Sequence, residues 1–367
     1  MTQRLWAAMV AVPAVVALLV YASIGTLPYA TYAPGETVDV LGTDGSASDA
    51  EIIQVDGHPV YRDDGGLLMT TVRVSPPVPP GTPKGENLWS LMATWFDRDS
   101  AVYPYDDVHS EDETPESSRE QGQQQMTGSQ DTAIEVALSE MGVEVPQTIE
   151  VSELTAGLPA AEVMEVGDVL RSVDGTKVTS AEQLVTLIRD APAGTPLRIG
   201  ITRDGTEQAV RVTPVRADDG RALIGIQPAV ADYQFPYEVK INISPAIGGP
   251  SAGLMFSLAV YDTLTPGSLT GGRTVAGTGE INPDGTVAPI GGIQQKIAGA
   301  RSDGAQLFLV PPANCADALG ADNGDMRLAM ATTMHDARLA LEEFAEDPDA
   351  DLPSCTDADQ VLAGAAR

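Results

Sequence analysis

Apolar residues are spread unevenly along the chain. Leu5 to Ile24 reads LWAAMVAVPAVVALLVYASI, and no charged residue occurs from Leu5 to Gly35. About 20 apolar residues suffice for a helix to cross the hydrocarbon of a bilayer. Pro13 lies inside this run, where a membrane helix tolerates it better than a soluble one. The pattern predicts a transmembrane helix within residues 1–30. Arg4 precedes the run, and Glu36 and Asp39 follow it. The positive-inside rule then keeps the N-terminus in the cytoplasm and places the rest outside, a single-pass protein of the cell membrane. A cleaved signal peptide ending near Val20-Tyr21-Ala22 is the competing reading. Its apolar core would exceed the usual length of about 7–15 residues, so a retained anchor fits better.

Residues 31–141 read as a β-rich and helical juxtamembrane segment. Short strand-like pieces occur at 38–40, 51–55 and 67–74, followed by a proline-rich break at 76–80. The stretch 106–120, DDVHSEDETPESSRE, is polar and expected to be exposed, and helical spacing sets in at 132–141. From 142 to 216 the alternation is clearer. Ile149 and Val151 alternate with polar residues, and Val166 to Leu170 leads to an Asp174-Gly175 turn. Ser180 and Gln183 form a capping box for a helix whose apolar face carries Leu184, Leu187 and Ile188. Strands at 197–201 and 209–212 flank Asp204-Gly205, a strong hairpin signal.

Composition narrows the partners. The 367 residues are 43% hydrophobic and carry a net charge of −31. That charge excludes nucleic acid, whose phosphates need a basic surface. It also argues against docking of the folded domains on anionic lipid. Two cysteines and three histidines offer no metal-ligand spacing, so neither a metal nor a cofactor is expected. Cys315 and Cys355, outside the cytoplasm, are a candidate disulfide tying a C-terminal tail, 347–367, to the domain before it.

The succession Gly157-Leu158-Pro159-Ala160-Ala161, Val166 to Leu170 and Val173-Asp174-Gly175 resembles a PDZ domain over residues 142–216. The resemblance implies a groove beside the Ser180 helix that takes an extended peptide by strand addition. Leu184, Leu187 and Ile188 are the candidate groove residues, with a carboxylate-binding loop near 142–147.

The sharpest chemical signal lies in residues 217–346. Gly248-Gly249-Pro250-Ser251-Ala252-Gly253 precedes an apolar run, Leu254 to Leu264, that ends at Pro266-Gly267. Ser251 thus sits at a helix start, where free N–H groups and the helix dipole can stabilise an oxyanion. A plain N-cap serine is the competing reading. Further on, Ile293, Lys296, Ile297 and Ala300 share one helical face. An inward lysine is costly unless it is paired or neutral. Desolvation favours the neutral amine, which can take a proton from a serine hydroxyl.

Gly249-Pro250-Ser251-Ala252-Gly253, Thr278-Gly279-Glu280 and Pro289 to Ile293 followed by Lys296 resemble the proteolytic domain of Lon-type serine peptidases. The resemblance implies Ser251 as nucleophile, Lys296 as general base and Thr278 as the residue orienting the Lys296 amine, with Gly249 and Pro250 completing the motif. Ile247-Gly248 stands where that family usually has Lys-Asp. No phosphate-binding loop of the G-x-x-x-x-G-K-[ST] type occurs, so the family's ATPase module is missing. The combined expectation is an α+β protein: an N-terminal transmembrane helix, a β-rich segment, a PDZ domain and a Lon-like domain. It would be an ATP-independent serine endopeptidase acting outside the cytoplasm on protein or peptide substrates with flexible segments. A homo-oligomer is an expectation by analogy with that family's rings. The competing class is a non-catalytic PDZ and Lon-like scaffold.

Overall fold

The computed structural model describes residues 3–45, 49–79, 81–217 and 220–365. Pro80 and the side chain of Arg4 lie outside the described residues. The chain divides into two units. One combines Met1–Met141 with Val239–Arg367, and the other, Gly142–Glu238, is inserted between those two stretches. The expected division at residue 216, with 31–141 as a segment of its own, differs from this arrangement.

The discontinuous unit is built on a six-stranded sheet in the order Arg327–Met330, Leu307–Val310, Thr274–Gly277, Gly66–Val74, Tyr29–Asp39, Ala101–Pro104. The first four strands run parallel, and the last two pairings are antiparallel. Leu307 to Val310 are all buried, the continuous apolar run of a strand covered on both faces. Side chains alternate across the sheet. Ala276 and Phe308 pack with Ile293 and Ile297 of the helix Ile293–Ser302. Their neighbours Gly277 and Leu309 face the other way, where a Cβ on Gly277 would meet Met255 Sδ at 2.7 Å. Met255 belongs to the helix Gly253–Leu264, so the two helices that flank the site residues cover opposite faces.

The residues before 142 are therefore part of this unit's core. The helix predicted from 132 begins much earlier and spans Pro115–Glu140. Thr114 and Ser117 form its capping box, and Pro115 occupies the first turn. The polar stretch 106–120 thus contains a helix start.

The inserted unit has its own sheet, ordered Thr206–Val212, Leu197–Arg203, Val169–Val173, Gln147–Leu154, Ile226–Tyr233. Asp204 and Gly205 take φ of 49° and 75°, as a two-residue hairpin turn requires. The strand Ile226–Tyr233 pairs with Gln147–Leu154, so the sheet is completed by residues beyond 216. Ser180 caps the helix Ala181–Arg189 by accepting from the Gln183 N–H. The Gln183 side chain returns to Thr179, one residue before the predicted partner.

Cys315 and Cys355 are bonded to each other, 40 residues apart in sequence. Both sit in the core cluster with Ala318 and Ala358, which docks the C-terminal residues on this unit. Closing a loop of that length in the unfolded chain contributes up to about 4 kcal/mol.

The structure gives no support to the expected membrane span. Among the described residues no helix is long and apolar enough to cross a membrane. The apolar side chains described in the helix Gln3–Ile24 face outward, Val10 being 69% exposed. The residues after this helix hold a second apolar element beside it. Thr26–Leu27 pairs with Glu86–Asn87, directly before the helix Leu88–Phe96. Trp89 Nε1 donates to Ser23 Oγ across the two helices. On the Leu88–Phe96 helix Trp95 is 75% and Phe96 78% exposed.

Candidate active site

Four stretches of chain meet at the Lys296 side chain. Its position on the inner face of the Ile293–Ser302 helix follows from the register of Ile293, Ile297 and Ala300, all buried. Lys296 itself is only 2% exposed. Its Nζ lies 2.8 Å from Ser251 Oγ, 2.9 Å from Thr278 Oγ1 and 3.0 Å from the Thr70 carbonyl oxygen. Burial pushes this amine down to about 7. The loss of hydration disfavours the ammonium, and no carboxylate stands among these three partners to restore it.

The hydrogen-bond inventory fixes how the neutral amine is held. Thr278 Oγ1 donates its only proton to the Ser251 carbonyl at 2.9 Å. Toward Lys296 it can only accept, and so can the Thr70 carbonyl. A neutral amine has two N–H bonds and one lone pair. With the N–H bonds on Thr278 and Thr70, the lone pair faces the Ser251 hydroxyl.

Ser251 does not cap the helix that follows. The helix begins at Gly253, its N-cap position is Ala252, and no side chain caps it. The serine hydroxyl is thereby left to the lysine. Its backbone is held on both sides: the Ser251 carbonyl accepts from the Gly279 N–H, and the Gly279 carbonyl accepts from the Leu254 N–H. Among the described residues the N–H groups of Ser251 and Ala252 have no acceptor. Both residues line a cavity of about 570 Å³, with Thr70, Lys296, Met69, Met126 and Ile247. A carbonyl placed there would meet the hydroxyl and two free donors together.

The glycines around Ser251 serve three different ends. Gly249 has φ +94°, and nothing stands within 4 Å of the place its Cβ would take, so the backbone conformation alone calls for glycine. At Gly248 a Cβ would come within 3.0–3.2 Å of the Gly122 backbone. At Gly253 it would press on Ile281 Cγ2 at 2.7 Å. Pro250 turns its carbonyl to Ser129 Oγ at 3.0 Å.

Sequence patterns single out Ser251, Lys296 and Thr278, and the structure brings these three together. Thr70, Ser129 and the wall from residues 34–36 and 69–73 were missed. They come from the segment read as juxtamembrane, and no motif marks them. Among the described residues no group of three or more His, Cys, Asp or Glu is placed to hold a metal.

The groove of the inserted unit differs from the expected one. A cavity of about 240 Å³ lies between the Ala181–Arg189 helix, through Leu184, Val185 and Ile188, and residues 221–226 and Pro228. Leu187 is not in its lining. At three residues from Leu184 it turns sideways and packs, partly buried, on the unit's core. The loop 142–147 takes no part in this lining either. The opposite wall comes from residues 221–225 and the start of the strand Ile226–Tyr233, all beyond the stretch compared with a PDZ domain.

The lysine environment makes a thermodynamic prediction. The folded amine titrates near 7, the unfolded one near 10.5. Between those values the unfolded chain binds the extra proton, so folding stability rises with pH through this window. Lys296→Met abolishes that contribution. The thermal midpoint of the native protein minus that of Lys296→Met should grow from pH 7 to pH 10 and stay flat below pH 6. A difference independent of pH would mean an amine that titrates as it does in water.

Residues 242–334 match the Lon protease (S16) C-terminal proteolytic domain, and residues 124–213 match the PDZ domain. Lon protease 1 of Bacillus subtilis is 34% identical over 94 residues, 25% of this chain and 12% of that protein. The magnetosome formation protease MamE of Paramagnetospirillum magneticum is 34% identical over 100 residues, 27% of this chain and 14% of that protein. The chain thus spans only a small part of these curated relatives. A PDZ domain of an SdrC-like protein from Listeria monocytogenes, 20% identical, covers 22% of this chain and 87% of its own, with a TM-score of 0.21. The chain carries a region matching the Lon-type proteolytic domain together with one matching the PDZ domain.

Proposed function

We propose that the protein is an ATP-independent serine endopeptidase in which Ser251 is the nucleophile and Lys296 the general base. The observation that carries this reading is the buried Lys296 amine within hydrogen-bond distance of Ser251 Oγ. In the first step the Ser251 hydroxyl gives its proton to the neutral amine while Oγ attacks the scissile carbonyl. The N–H groups of Ser251 and Ala252 receive the developing oxyanion. The Lys296 ammonium then returns the proton to the departing amine, which leaves an acyl-enzyme. Water reverses the sequence: the amine takes its proton, the acid product departs and Ser251 is restored. Thr278 and the Thr70 carbonyl hold the nitrogen in place throughout. Substrates would be flexible segments, because no unfoldase module is recognisable in the sequence.

The PDZ unit recruits substrate in this reading, through the groove between its helix and residues 221–226. Membrane attachment through the helix Gln3–Ile24 remains part of the proposal. Its support is the outward apolar surface of that helix and the exposed aromatic residues of the adjoining Leu88–Phe96 helix, since tryptophan and other aromatics favour the bilayer interface. The catalytic unit would then work on the outer side of the membrane.

Ser251→Ala should abolish cleavage of an unstructured protein and leave the thermal midpoint nearly unchanged. Lys296→Arg keeps the charge but cannot deprotonate at working pH. It should be as inactive as Ser251→Ala, and native activity should rise through about pH 7 as the amine loses its proton. An active Arg variant would remove the neutral lysine from the mechanism.

Val185→Asp places a charge in the PDZ groove at a half-exposed position. It should raise KM severalfold for a protein substrate recruited there and leave a short peptide's kinetics unchanged. Equal effects on both substrates would contradict recruitment.

The three tryptophans allow a test of membrane attachment. With Trp89→Phe and Trp95→Phe, Trp6 is the remaining fluorophore. In vesicles, lipids brominated along the acyl chain should quench it strongly. Quenching by aqueous iodide instead would place that helix outside the bilayer.

A further inference from the structure

The helix Pro115–Glu140 touches the loop before Ser251 at three polar points. Gln123 Nε2 donates to the Pro245 carbonyl at 3.1 Å, and the Gly249 N–H donates to the Gly122 carbonyl at 2.8 Å. Ser129 Oγ donates to the Pro250 carbonyl at 3.0 Å. The first two hold the loop against the helix. The third acts on the peptide group that joins Pro250 to Ser251.

A peptide group is planar, and in the trans form its C=O and N–H point in opposite directions. Fixing the Pro250 carbonyl therefore fixes the direction of the Ser251 N–H. That N–H has no acceptor among the described residues, and Ser251 borders the 570 Å³ cavity. Ser129 is buried, and its Oγ lies close against Gly253, where a Cβ would come within 2.9 Å of it. The Pro250 carbonyl also accepts from the Gly253 N–H, but at the longer distance of 3.3 Å, so without Ser129 it would keep only that weaker bond.

We infer that Ser129 is a positioning residue that aims the Ser251 N–H at the oxyanion, by holding the Pro250 carbonyl on the far side of the same peptide plane. The inference rests on the reading of Ser251 as nucleophile and adds to it the origin of the oxyanion donor's orientation. Ser129 touches neither substrate nor Lys296. Its effect falls on the tetrahedral state, in which the oxygen becomes charged, and spares the bound substrate.

The test compares native protein with Ser129→Ala and Ser129→Cys, using a short peptide substrate and a peptide boronate. The boronate adds Ser251 Oγ to boron, and the tetrahedral adduct puts a boron-bound oxygen where the oxyanion would sit. Removing an oxyanion donor costs roughly a hundredfold or more in kcat, so misaiming one should cost about tenfold. In Ser129→Ala, kcat should fall about tenfold and the boronate should bind weaker by the same factor. KM should stay within about twofold, and the pH midpoint set by Lys296 should not move. Ser129→Cys keeps the volume but offers only a weak S–H donor. It should lose activity as the Ala variant does, with a native thermal midpoint, which separates the hydrogen bond from packing. Unchanged kcat and boronate affinity in the Cys variant would overturn the inference. So would a loss confined to KM, or a shifted pH midpoint. Should Ser251→Ala retain activity, the nucleophile reading itself fails, an outcome these Ser129 variants do not mimic.

Discussion

The discontinuous unit is organised around one buried amine. A lysine nitrogen with almost no access to water can exist in the fold only if each of its hydrogen-bonding positions is met. Here the three partners come from distant parts of the chain: a strand carbonyl at Thr70, the hydroxyl at Thr278 beyond the neighbouring strand, and Ser251 before a helix on the opposite face. Satisfying that nitrogen ties the parallel sheet and the helices on its two faces into one arrangement. The same burial that makes the amine costly to house also lowers its proton affinity into the range where it can act as a base. Stability and reactivity are thus set by one local condition.

Around that nitrogen the backbone contributes as much as the side chains. The Ser251 carbonyl is fixed by Thr278 and Gly279, and the preceding carbonyl by Ser129. Gly248 lets the loop approach the Gly122 backbone, and Gly249 supplies a conformation other residues rarely adopt. The loop is therefore held in one geometry by contacts that involve little apolar burial. The Pro115–Glu140 helix is mostly exposed along its polar first half, and from it Gly122 and Gln123, with Ser129 further on, bind the loop through hydrogen bonds.

Such contacts also mark the limit of what sequence patterns reveal. Ser251 and Lys296 were legible because each lies in a short motif with a physical meaning, a glycine-rich helix start and a lysine on an apolar helical face. The Asp-Gly hairpin at 204–205 was legible for the same reason. Thr278 was legible only through the resemblance to Lon-type peptidases. Thr70 was not, because the atom it contributes is a carbonyl, which every residue has. Ser129 lies in a stretch without apolar periodicity, and that stretch reads as solvent-exposed until its partner loop is known. The strand Ile226–Tyr233 was assigned outside the PDZ unit because the alternation before residue 216 already resembles a complete module. Only pairing with Gln147–Leu154 shows that the sheet needs it.

The insertion of Gly142–Glu238 also dictates an order of events during synthesis. The strand Gly66–Val74 leaves the ribosome early, with its apolar residues exposed and its parallel partner Thr274–Gly277 roughly two hundred residues behind. The inserted unit emerges whole in that interval and can fold by itself, since its sheet is made from its own residues. Ser251 and Lys296 appear only afterwards. A nascent molecule therefore has a finished inserted unit before Ser251 and Lys296 can meet, so the proposed chemistry has to wait for the second half of its own unit.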